Sequence, residues 1–147
     1  MSTHATAIPV GTNGVPGEVR DGSGRFARFV QVSIALQTLS IFFQASTAGL
    51  LLATSYGETL HGVGARVMYG ASMLYLLAAV LAWRPGGGSA RPALYATGFL
   101  VLASVQVVLG IAHVPTYHVP LGVLMFGLSV LDLGRVLLVR PGARVTG

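Results

Sequence analysis

Between residues 28 and 139 polar side chains are sparse and come in clumps. The apolar stretches between them fall at 28–53, 61–83, 92–113 and 118–139. Each has about the 20 residues that a helix needs to cross a hydrocarbon core. Backbone groups in lipid must be satisfied within the segment, so helices are predicted. "WRPGGGSARP" cannot continue a helix and marks a loop. The links between runs one and two and between runs three and four are short, so each pair forms an antiparallel hairpin. The pattern predicts an all-α integral membrane four-helix bundle over 26–140, built from two parallel-repeated hairpins. Tails at 1–25 and 141–147 flank it.

Composition sharpens this picture. The chain is 53% hydrophobic and 9% charged, where soluble domains carry about 25% charged residues. The mean hydropathy is +0.73. There are no cysteines, which excludes disulfides, thiolate metal sites and thiol nucleophiles. Residues 1–25 are rich in Gly, Pro, Thr and Ser without an apolar run, so disorder is expected there. They do not read as a signal peptide, and His4 receives no role.

The net charge of +5 comes from arginine alone. Arg20, Arg25 and Arg28 precede the first run, Arg84 and Arg91 flank the central loop, and Arg135, Arg140 and Arg144 close the chain. With four crossings these segments fall on one side, and the opposite loops hold only the acid Glu58. The positive-inside rule then predicts a multi-pass protein of the cell membrane with both termini cytoplasmic. His61, His113 and His118 gather near the outer face. The arginines are explained by topology, and no nucleic-acid partner is implied.

Runs two and four share a pattern. Seven residues after His61 and His118 comes a Met (Met68, Met125), nine after a Gly (Gly70, Gly127) and eleven after a Ser (Ser72, Ser129). At 3.6 residues per turn, offsets 0, +4, +7 and +11 form one stripe. It reads His61, Ala65, Met68, Ser72 in one helix and His118, Gly122, Met125, Ser129 in the other. A very small residue one turn below each imidazole leaves room for a broad, flat ligand. The Gly at +9 faces the other way, where another helix could approach. The first helices of the hairpins match through Gln44 before Gly49 and Gln106 before Gly110. Two imidazoles at matching depth on facing helices suggest bis-histidine ligation of haem b. Iron so held has no open position and suits electron transfer. The blander alternatives are histidines snorkelling toward headgroups and a Met stripe that is simply core.

Other residues carry weaker signals. Glu58, one turn before His61, could bond the imidazole, donate a proton, or only support the helix N-terminus. His61, His113, His118 and Glu58 could together form a non-haem metal site; otherwise His113 caps run three or touches a haem edge. Arg66 could meet a haem propionate or snorkel outward. Asp132 lies on the stripe about 21 Å below His118, with Arg135 as the expected ion-pair partner. There is no Ser–His–Asp order, phosphate loop or nucleotide motif.

With "ETLH" (Glu58 three before His61) and "QVVLG" (106–110) ahead of His118, the chain resembles one four-helix half of haem A synthase over about 40–135. The resemblance implies His61 and His118 as haem ligands and Glu58 near the reacting edge of a substrate haem. It implies oxidoreductase chemistry if the chain is an enzyme. Only one half is present, so a two-haem arrangement would need a homodimer. The outer-loop cysteine pair of many members is missing, and Gly62 stands where the family often has Arg. "FFQASTAGL" (42–50) also looks like a group of small four-helix actinobacterial membrane proteins.

The leading expectation is therefore a haem b membrane protein in the lipid bilayer that transfers electrons, to a quinone or a redox protein, or handles haem. The alternatives are a cofactor-free accessory or assembly subunit with a structural repeat, and a small transporter. The transporter is disfavoured because the polar residues are expected to gather in the outer half of the spans and no span is broken mid-membrane.

Overall fold

The computed structural model describes residues 18–138. Four helices follow one another: α1 (Glu18–Ala53), α2 (Gly57–Trp83), α3 (Arg91–Ile111) and α4 (Pro115–Leu138). All four are long and apolar enough to cross a membrane. The tails at 1–17 and 139–147 lie outside the described residues.

The helix starts differ from the sequence expectation. α1 extends back to Glu18, into the stretch expected to be disordered. The long apolar helix behind it supplies the nucleus, after which each added residue costs little. α2 begins at Gly57 and so takes Glu58 into its first turn, where a carboxylate favours the positive end of the helix dipole. α4 begins at Pro115, since proline suits the first helical position, where no N–H is needed. α3 stops at Ile111, and His113 follows with φ 54°. That left-handed residue ends the helix and turns the chain directly into α4.

α1 packs on α2 and α4, and α3 packs on the same two. No Cα of α2 lies within 8 Å of one in α4 among the described residues, and the same holds for α1 and α3. The helices therefore stand at the corners of a square, with α2 facing α4 across its diagonal. Two apolar clusters hold the square together. Ile34, Tyr75, Ala79 and Ala96 centre the one nearer Trp83. Ile41, Met68, Phe99 and Met125 form the other. Large apolar side chains also cover the outside, including Leu39, Val67, Leu94, Val123 and Leu131. The inside by contrast buries Ser33, Gln37, Thr38, Thr47, Ser72 and Ser129. These buried polar groups run through the middle of the helices, which corrects the expectation that they gather in the outer half.

The α1–α2 turn depends on Gly57. It is buried, and a Cβ there would collide with the backbone of Leu50 and Leu51. Gly62, one turn on, has open space at the same position. Gly57→Ala should therefore lower the thermal midpoint in detergent by an amount equivalent to about 1–3 kcal/mol of overpacking. Gly62→Ala should be neutral or stabilising by up to about 1 kcal/mol, because Ala is the better helix former.

Candidate functional site

At the end of the bundle where α2 and α4 begin, the ring centroids of His61 and His118 lie 6.2 Å apart at 67°. Both rings are half-buried. Each sits beside a glutamine of the helix that precedes it in the chain. Gln44 Nε2 donates to His61 Nε2 at 3.1 Å. Thr47 Oγ1 lies 3.3 Å from His61 Nδ1 and itself donates to the Gln44 carbonyl at 3.0 Å. The Thr47 hydroxyl proton is thus committed, so Nδ1–H donates to Thr47 and the Nε2 lone pair faces Gln44. In the second hairpin, His118 Nδ1–H donates to the Gln106 carbonyl at 3.1 Å, and Gln106 Nε2 donates back to the His118 carbonyl at 2.8 Å. A backbone acceptor at Nδ1 fixes the tautomer and leaves Nε2 as a metal-type donor.

The stripe below the histidines points inward. Met68, Met125, Ser72 and Ser129 are each at most 3% exposed, and Ala65 and Gly122 are half-buried. The space beside the small residues is filled, however. A Cβ on Gly122 would lie 3.0 Å from Gln106 Nε2, and one on Gly64, the neighbour of Ala65, would meet the Gln44 amide. Gly110 leaves room for the His118 ring, which a Cβ would approach to 3.2 Å. The small residues thus seat the glutamines and an imidazole, and do not enclose an open slot. Gly70 and Gly127 have nothing within 4 Å of an added Cβ, as outward-facing positions should.

Three candidates stand apart from the pair. His113 is exposed, and its Nδ1 bonds the Ile111 carbonyl at 2.9 Å. Glu58 and Arg66 are exposed and line a shallow groove with Gly62 on α2. Among the described residues no three His, Cys, Asp or Glu side chains form a metal-binding group. The four-ligand site of His61, His113, His118 and Glu58 is therefore not assembled. The turn at His113 directs its ring back onto its own chain.

A second cross-diagonal contact lies fourteen residues further along both helices. Tyr75, fully buried, donates its hydroxyl to Asp132 Oδ2 at 2.7 Å. Arg135, the expected partner of Asp132, instead lies over the Tyr95 ring, 5.5 Å from its centroid. About one turn before Asp132, Ser129 meets the Thr38 hydroxyl at 2.7 Å and the Gln37 amide at 3.4 Å. The sequence reading missed the polar face of α1 that supplies these groups. Its signal was visible in Ser33, Gln37, Ser40, Gln44 and Thr47, spaced four, three, four and three. No family model, curated protein or solved structure matches the chain.

Removing the hydroxyl in Tyr75→Phe leaves the Asp132 carboxyl without that partner and changes little volume. Stability in detergent should fall by about 1.5–3 kcal/mol, the usual worth of a hydrogen bond to a charged group. Chemical unfolding followed by circular dichroism measures it. An unchanged midpoint would show that the contact contributes nothing.

Proposed function

We propose that this chain is a membrane protein that binds haem b through His61 and His118 and serves electron transfer or haem handling. The observation that carries the proposal is the 6.2 Å approach of two imidazoles across the bundle diagonal. An imidazole nitrogen binds a metal at about 2 Å, so rings at this separation are within reach of one ion between them. The donor count supports haem over a bare ion. Structural zinc takes four protein ligands, whereas a macrocycle brings its own ring of nitrogens and leaves two axial positions. The buried amide oxygens of Gln44 and Gln106 have no partner, so each side chain is held at this level by its Nε2 hydrogen bond alone. They would have to swing aside to admit a macrocycle. Bound there, haem would supply a one-electron couple, with no open iron position for oxygen chemistry.

This proposal includes the parallel repeat. Gln44 with His61 and Gln106 with His118 take equivalent places in the two hairpins, with Met and Ser below each histidine at the same offsets. It also includes the bilayer, since the outer surface is apolar while polar side chains are buried inside among the apolar clusters, as expected where lipid replaces water. The arginine distribution then puts both termini in the cytoplasm and the histidine pair near the outer face. The likeness to haem A synthase extends to the ligand positions. Exposed Glu58 offers no support for the synthase reaction.

One observation favours a cofactor-free accessory subunit instead. Gln44 already occupies the His61 lone pair, so His61 is satisfied without a ligand. Haem content of purified variants separates the two. His61→Ala and His118→Ala should each lose bound haem, while His113→Ala keeps it. Full occupancy in both single mutants would reject the ligand assignment, and a folded wild type that neither carries nor takes up haem would favour the accessory role. For topology, tags at residues 1 and 147 should resist external protease in intact cells. Cleavage of either would overturn the orientation.

A further inference from the structure

Beyond Gln44 and Thr47 at the histidine level, the polar face of α1 has no part in the haem proposal. From Ser33 to Thr47 it covers fourteen residues, about 21 Å of helix. The same fourteen residues separate His61 from Tyr75 and His118 from Asp132. The face therefore runs the whole distance between the two cross-diagonal contacts, and it passes beside the Met68–Met125 layer that would otherwise divide them. Ser33 is 0%, Gln37 1%, Ser40 8% and Thr47 1% exposed.

Its hydrogen-bonding character is one-sided. Ser33 donates to the Phe29 carbonyl, Ser40 to Leu36 at 2.6 Å and Thr47 to Gln44 at 3.0 Å. Their protons are spent on their own helix, and their oxygens retain lone pairs. Gln37 Oε1 and Gln44 Oε1 are buried without a partner. Turning the Gln37 amide over would change which atom is left over but would not supply a second partner, because Ser129 is its one contact. Buried acceptors without donors are costly and are commonly met by internal water. The acceptors are spread along a line. Gln37 and Gln44 are about 10.5 Å apart along the axis, so they cannot surround one metal cation. Internal water strung along the seam could meet them singly.

We propose that this seam is a hydrated proton route along the bundle, running from the Tyr75–Asp132 pair to the histidine level at Gln44 and Thr47. Asp132 takes a proton from water at its own end and releases it to the first water of the file. Each hop forms one O–H bond and breaks another, so a proton leaves at the far end and no electron moves. Asp132→Asn keeps an acceptor for the Tyr75 hydroxyl but removes the group that exchanges protons. Gln37→Leu removes the middle support of the file.

The route rests on the bilayer-spanning part of the proposed function and is independent of haem. The test therefore uses haem-free protein in liposomes holding potassium and a pH-sensitive dye, with valinomycin imposing an inside-negative potential. Flotation with the vesicles and helical circular dichroism establish insertion separately. Inserted wild-type protein should acidify the lumen faster than protein-free vesicles do, and both variants should return to the protein-free rate. Wild-type flux equal to that of protein-free vesicles overturns the route. So does undiminished flux in Asp132→Asn, which decides alone if Gln37→Leu fails to fold. Sodium uptake at a rate matching the proton signal would also overturn it, by showing a cation path.

Discussion

Because α2 and α4 stand across the diagonal of the bundle, whatever joins them must cross the axis as side chain. Three levels do so: the histidine pair, the Met68 and Met125 layer with Ser72 and Ser129 beneath it, and Tyr75 bonded to Asp132. With the outside coated in apolar residues, the polar atoms at these levels find partners only within the bundle, and an unpaired buried group is expensive. This constraint explains why α1 and α3 carry glutamines at the histidine level. Gln44 bonds the His61 imidazole through its side chain, whereas the His118 imidazole bonds the Gln106 backbone carbonyl and the Gln106 amide bonds the His118 carbonyl.

The same constraint explains the small residues. Gly122, Gly64 and Gly110 permit side chains to lie against helix backbone, and the glutamines and His118 take that space. A ligand entering between the imidazoles would compete with Gln44 for the His61 lone pair and displace flexible amides. The histidine site is thus closed by its own side chains.

Much of this was legible in the sequence. The four helices follow from apolar runs of spanning length, and the inward stripe from the period of 3.6 applied to His61, Met68 and Ser72. The meeting of His61 with His118 was readable because both head their helices at one end of a square bundle. The fate of the small residues was not, since nothing local says whether a void beside Gly122 is left open or filled from α3. Asp132 was given to Arg135 by proximity along the helix, but the diagonal offered Tyr75, a buried partner that no spacing rule relates to it. The polar face of α1 was missed for a plainer reason. Ser33, Ser40 and Thr47 are weakly polar one by one, and only their spacing of four and three from Gln37 and Gln44 makes them one stripe.

The most direct measurement of the histidine site is electron paramagnetic resonance of the oxidised wild-type protein, purified in detergent and supplied with haem. Two axial imidazoles hold ferric haem low-spin, so a low-spin spectrum with no high-spin component is predicted. A high-spin spectrum would mean that at most one histidine reaches the iron. The free-haem signal alone, from protein still helical, would mean that the His61–His118 contact is packing and not a ligand site.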